Sequence, residues 1–65
     1  MEIHLNGKKT VSNSETLIDL VLEQGLDPSS LIVEVNFAII PQKAWKALLI
    51  REGDTIELLS FVGGG

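Results

Sequence analysis

Polar and apolar residues alternate along Glu2-Ile3-His4-Leu5, break at Asn6-Gly7 and resume at Lys9-Thr10-Val11, a pattern that predicts an opening β-hairpin. A two-residue loop sets Ile3 opposite Thr10. A three-residue loop sets Ile3 opposite Val11 and gathers Ile3, Leu5 and Val11 on one apolar face, and this second register is the one expected. The period then lengthens to that of a helix, with Leu17, Leu20 and Val21, and Gln24 at the margin, against Asp19 and Glu23 on the other side. Ser12-Asn13-Ser14-Glu15 matches a capping box, with Ser14 as the competing cap, and Gly25 stands where a left-handed residue closes a helix of about three turns. Leu26 would fold back over that end, as in a Schellman motif.

Asp27-Pro28-Ser29-Ser30 reads as a turn, Asp27 capping and Pro28 in the first helical position. Two β-rich runs follow, Leu31-Ile32-Val33-Glu34-Val35 and Ala38-Ile39-Ile40, separated by Asn36-Phe37. A two-residue loop puts Val33, Val35, Ala38 and Ile40 on one face. Phe37 suits a position of positive φ badly, so this loop is either wider or strained at that residue. Pro41 removes a ladder donor and ends the strand. From Gln42 to Ile50 no element is assigned: Ala44, Trp45, Ala47 and Leu48 fit a short helical turn, with Trp45 as a packing anchor. Arg51-Glu52-Gly53-Asp54 is a turn before a last strand in which Ile56 and Leu58 face one side and Leu59 and Phe61 the other.

The predicted order is hairpin, helix, hairpin, irregular crossing and final strand, an α+β layout with a mixed sheet packed on one main helix. One helix covers one face of such a sheet. Leu59 and Phe61 are therefore expected to stay uncovered unless the crossing or a partner shields them.

The chain has 65 residues, the size of one small domain, and no Cys, so it offers neither a disulfide nor a thiolate of its own. Any sulfur it handles is borrowed. A formal charge of −4 argues against non-specific nucleic-acid binding and favours a protein partner with a basic patch. The apolar runs are too short to cross a bilayer, and Met1 leads into Glu2-Ile3-His4-Leu5 rather than a leader pattern, so no membrane role and a cytoplasmic location are expected.

The sequence closes on Phe61-Val62-Gly63-Gly64-Gly65. Glycines lack Cβ and let a backbone pass through a narrow channel, with the Gly65 carboxylate as a reaction handle. Such a run also occurs in frayed tails and expression linkers, but here a strand-like segment enters it with no polar linker between. His4 lies on a strand away from this tail. Glu52 and Asp54 read as turn chemistry, and Glu15, Asp19 and Glu23 as a solvated helix face.

With the Asn6-Gly7 hairpin, Val33-Glu34-Val35-Asn36, Ile39-Ile40-Pro41, Trp45, Glu52-Gly53-Asp54 and the closing Phe61-Val62-Gly63-Gly64-Gly65, the chain resembles, over essentially its whole length, the ubiquitin-like β-grasp sulfur carriers, most closely the ThiS family of thiamin biosynthesis. Phe37 and Ala38 stand where a more polar turn is usual, and Gln42 follows Pro41 where Arg is common. The resemblance implies a β-grasp domain over residues 1–62 and a Gly tail over 63–65. It implies a carrier rather than an enzyme, with no cofactor bound by the carrier itself. An E1-like (ThiF-like) adenylyltransferase would use MgATP to adenylate Gly65, and a sulfur donor such as a cysteine desulfurase would supply the sulfur of a thiocarboxylate. A ThiG-like thiazole synthase would receive it. Gly63 and Gly64 would give access, and Leu59, Phe61 and Val62 would dock partners. The small subunit of molybdopterin synthase uses the same tail chemistry, a ubiquitin-type modifier would form an isopeptide instead, and a β-grasp interaction module with an inert tail is the reading from another class.

Overall fold

The computed structural model describes residues 1–61. Strands β1 (Glu2–Leu5) and β2 (Lys8–Val11) form the first hairpin, helix α1 (Leu17–Glu23) follows, and a 3-10 turn (Pro28–Ser30) leads into β3 (Leu31–Val35) and β4 (Ala38–Ile39). A second 3-10 turn (Gln42–Ala44) opens the crossing to β5 (Thr55–Ser60). The strands form one five-stranded sheet in the order β2-β1-β5-β3-β4. Among the described residues only β1 and β5 run parallel, with His4 beside Thr55 and Leu5 beside Ile56. The mixed sheet on one main helix is the α+β, β-grasp layout expected.

The inner face of the sheet contributes Ile3, Leu5, Leu31, Val33, Ile56 and Leu58 to a single cluster with Leu17, Leu20 and Val21 of α1 and with Trp45 and Ile50 of the crossing. Period-2 and helical apolar spacing thus converge on one core, as the sequence pattern requires.

The first hairpin corrects the expected register. Ile3 pairs with Thr10 and Glu2 with Val11, so the loop has two residues and Val11 is 77% exposed. Asn6 (φ 50°) and Gly7 (φ 81°) both take left-handed angles, the pair a tight two-residue turn demands. Turn chemistry therefore outweighs the gain from burying one valine. Asn6 adds a reason to be asparagine: its Oδ1 accepts from the Leu58 N–H at 2.8 Å, tying the turn to β5.

The helix start is a second correction. The N-cap is Thr16, whose Oγ1 accepts from the Asp19 N–H at 3.3 Å, and α1 has seven residues, about two turns. The Leu17 and Ile18 N–H groups, without partners inside the helix, donate instead to Leu48 O (2.9 Å) and Trp45 O (3.1 Å) of the crossing. Ser12, buried, accepts from the Ser14 N–H and donates to Glu23, and the Glu15 carbonyl accepts from Ile50 N–H. The irregular crossing is thus the cap of the helix.

At the other end, Gly25 (φ 72°) follows the C-cap Gln24. Its N–H donates to Leu22 O and that of Leu26 to Val21 O, the two bonds of a Schellman motif. Asp27 accepts from the Ser29 hydroxyl and N–H, which hold its carboxyl below the usual range, and Pro28 opens the 3-10 turn as expected.

The second hairpin has the expected register, Val35 opposite Ala38. Its two-residue loop takes positive φ at Asn36 (51°) and at Phe37 (71°), so the strain falls on Phe37, which is 83% exposed. Three bonds pin the turn to the start of β5: Asn36 Nδ2 donates to Asp54, Asn36 Oδ1 accepts from Thr55 N–H, and Asn36 N–H donates to Thr55 O. Phe37→Gly removes a side chain with little burial from a left-handed position. The expected result is a gain of about 0.5–1 kcal/mol after the added entropy of the unfolded glycine, read as a rise of a few degrees in melting temperature. A lower melting temperature would show that the ring packs on the fold.

Candidate functional site

Because Ile56 and Leu58 point into the core, Thr55, Glu57 and Leu59 point to the outer face of the sheet, which carries no helix among the described residues. On β3, Leu31 and Val33 point inward and Ile32 and Glu34 outward. The register brings Ile32 opposite Leu59 and Glu34 opposite Glu57. Ile32 (42%), Leu59 (46%) and Phe61 (44%) keep nearly half their surface in water, and Ile39, opposite Glu34 on edge strand β4, keeps 69%.

Leu59 and Phe61 are thus uncovered, as the two-sided apolar pattern of the last strand predicts. Phe61 follows β5, and its N–H donates to Ser30 O at 2.9 Å, which fixes where the chain leaves the sheet. Val62, Gly63, Gly64 and Gly65, named from the sequence as docking, access and sulfur-carrying residues, lie outside the described residues. Ile32, Ile39 and the Glu34–Glu57 juxtaposition were missed. The odd-even split of β3 already placed Ile32 and Glu34 opposite its core residues, and following that parity would have found those two, whereas the pairing of Glu34 with Glu57 depends on the register of β3 against β5.

The other polar candidates have structural partners or stand apart. Glu52 accepts from Glu2 N–H and Asp54 from Arg51 N–H, so both stabilise the turn between crossing and strand. Glu15, Asp19 and Glu23 are exposed, Glu23 taking the Ser12 bond. His4 sits beside Thr55, five residues from Ser60 and so about 17 Å from the chain's exit. No cluster of three or more His, Cys, Asp or Glu able to hold a metal occurs among the described residues. An open groove of about 420 Å³, lined by Val35, Asn36, Ala47, Leu48, Leu49, Arg51 and Asp54, also lies at this far end. No helix among the described residues is long and apolar enough to cross a membrane.

The arrangement suits presentation: a uniform inner core, an uncovered apolar-acidic outer face, and a chain that leaves beside that face. Comparison with known proteins points the same way. The family model described as the ThiS family matches residues 2–65. The chain is 35% identical over 65 residues to the sulfur carrier protein ThiS of Bacillus subtilis, covering 97% of this chain and 98% of that one. It is also 35% identical over 66 residues to a thiazole synthase of Magnetococcus marinus, where it spans all of its own length but 20% of that protein's. The crystal structure of the thiamine biosynthesis protein ThiS from Geobacter metallireducens superposes with a TM-score of 0.83 at 30% identity, each chain covered fully.

Proposed function

The chain belongs to the ThiS family of sulfur carriers in thiamin biosynthesis, and from that premise we propose that Gly65 is its acyl site. A carboxylate is a poor acyl donor because oxide is a prohibitive leaving group. An E1-like adenylyltransferase using MgATP would join the Gly65 carboxylate to AMP with release of pyrophosphate, and AMP then leaves readily. The terminal sulfur of a persulfide, supplied by a donor such as a cysteine desulfurase, would attack that carbonyl, and a thiol would reduce the resulting acyl disulfide to the thiocarboxylate. The carrier contributes presentation, and catalysis belongs to its partners. Gly63 and Gly64 give a slender path to the partner's nucleotide. The cytoplasm, where ATP is available, is the expected location.

The observation that carries this reading is the match to a ThiS carrier over nearly the full length of both chains. That thiazole synthases contain a segment similar to this chain favours thiazole synthase as the acceptor over the molybdopterin branch. Incubation with the adenylyltransferase, MgATP and a persulfide donor should exchange one oxygen of the chain for sulfur in intact-mass spectra. An unchanged mass with an active donor would sink the proposal.

Docking is assigned to the face of Leu59 and Phe61, with Val62, the next residue in sequence, as a further docking candidate. Phe61→Asp places a charge at the exit end of the apolar area, where an interface anchor typically contributes ~2 kcal/mol or more, roughly thirty-fold in affinity. The melting temperature should change little, since Phe61 lies outside the core cluster. Unfolding of the variant would assign Phe61 to the core, and unaltered binding to both partners would remove it from the docking surface.

A further inference from the structure

Glu34 and Glu57 face each other directly across adjacent strands at the middle of the outer face. Both are half-buried, and none of the side-chain hydrogen bonds among the described residues ends on either carboxylate. The sheet's lysines, Lys8 and Lys9, lie on β2, separated from β5 by β1. Like charges directly opposite in a sheet destabilise it, so the isolated chain carries a cost here that its own fold does not relieve. The neighbours are apolar: Ile32 opposite Leu59 toward the chain's exit, and Ile39 on the edge-strand side of Glu34. Two glutamates paired across adjacent strands on one face, flanked by exposed aliphatic residues, complement a guanidinium on an apolar surface, because a planar fork can bond both acids while its neighbours pack on the isoleucines and leucine.

We propose that this face docks a protein surface that sets an arginine over the Glu34–Glu57 pair within a ring of apolar side chains, and that the surface belongs to the thiazole synthase. The overall charge of −4 supports a basic partner surface and steers its approach. The proposal rests on the carrier reading above and specifies the chemistry of its partner. It predicts an exchange of stability for affinity: the repulsion is tolerated in the free chain because the bound state uses it.

The test compares wild type with the double variant Glu34→Gln/Glu57→Gln and with Glu57→Lys, in thermal melts and in calorimetric titration against purified thiazole synthase at low and moderate salt. The Gln pair should melt a few degrees higher and bind on the order of ten-fold more weakly, with a flatter salt dependence. Glu57→Lys pairs with Glu34 inside the chain, so it should also melt higher and bind more weakly still. Three results overturn the proposal: binding by the Gln pair with wild-type affinity and salt dependence, a fall in its melting temperature, or a rise in the wild-type melt with Mg²⁺ or Ca²⁺ that the Gln pair lacks, which would make the pair a cation site. A wild type that loads sulfur while the Gln pair binds normally removes this inference alone. A wild type that neither loads sulfur nor binds the synthase removes the carrier reading with it.

Discussion

Removing Gly65 is expected to leave the thermal melt in place and to abolish conversion of the chain to a thiocarboxylate. The two halves of that expectation have separate causes. Stability resides upstream: among the described residues the last buried core residue is Leu58, β5 ends at Ser60, and Phe61 N–H makes its bond to Ser30 O before the tail begins. A change at position 65 removes none of these, so the effect should fall within the roughly ±0.5 kcal/mol of a featureless surface site. Reactivity resides in reach. One residue fewer withdraws the carboxylate by about 3.5 Å, whereas a misplacement of about 1 Å already costs on the order of a hundredfold in a positioned transfer. Gly64→Val should behave alike, since a β-branched side chain widens the tail and restricts its backbone. Both variants keep Leu59 and Phe61 and should still compete with wild type for the adenylyltransferase. Melting, competition and intact-mass loading, run side by side, separate folding from docking and docking from chemistry. Full loading of the shortened chain would refute the assignment of Gly65.

Local chemistry made some of this molecule legible in its sequence, and long-range contacts hid the rest. Asn36-Phe37 between β-rich runs gave the second hairpin and narrowed its loop to two outcomes, wider or strained at Phe37, of which the structure has the strained one. Asn6-Gly7 carried the same information for the first hairpin, and weighting the alternation of Val11 above the turn residues produced the wrong register. The helix cap was misplaced because the groups that satisfy Leu17 and Ile18 are carbonyls of Trp45 and Leu48, far along the chain. No local motif encodes them. The same division holds at the face. Leu59 and Phe61 were visible because one short strand carries apolar residues at both parities. Glu34 opposite Glu57 depends on the register of β3 against β5, elements separated by the whole crossing, so the charge pair emerges only when the sheet is assembled.

Trp45→Ala is expected to cost the chain most of its stability. Trp45 is 1% exposed, and it is the largest of the fully buried side chains. Truncating such a residue typically costs 3–5 kcal/mol, about the lost burial plus a cavity that a small core cannot close. A domain of 65 residues has a total stability of only about 3–10 kcal/mol. The damage also spreads. The indole Nε1 donates to Ile40 O at 2.8 Å, and the Trp45 carbonyl accepts from Ile18 N–H, so the residue joins the end of the second hairpin to the first turn of α1. Loss of its packing loosens the crossing that caps the helix, and with it the inner layer on which the outer face depends. Trp45→Phe separates these contributions: most of the apolar volume stays and the Ile40 carbonyl loses its donor, for an expected cost of about 1–2 kcal/mol. Urea unfolding followed by far-ultraviolet circular dichroism measures both variants without relying on the indole that is removed. Trp45→Ala should be largely unfolded or show a midpoint far below wild type, with Trp45→Phe between them and cooperative. A Trp45→Ala midpoint close to wild type would mean that the crossing holds the helix through its backbone bonds alone.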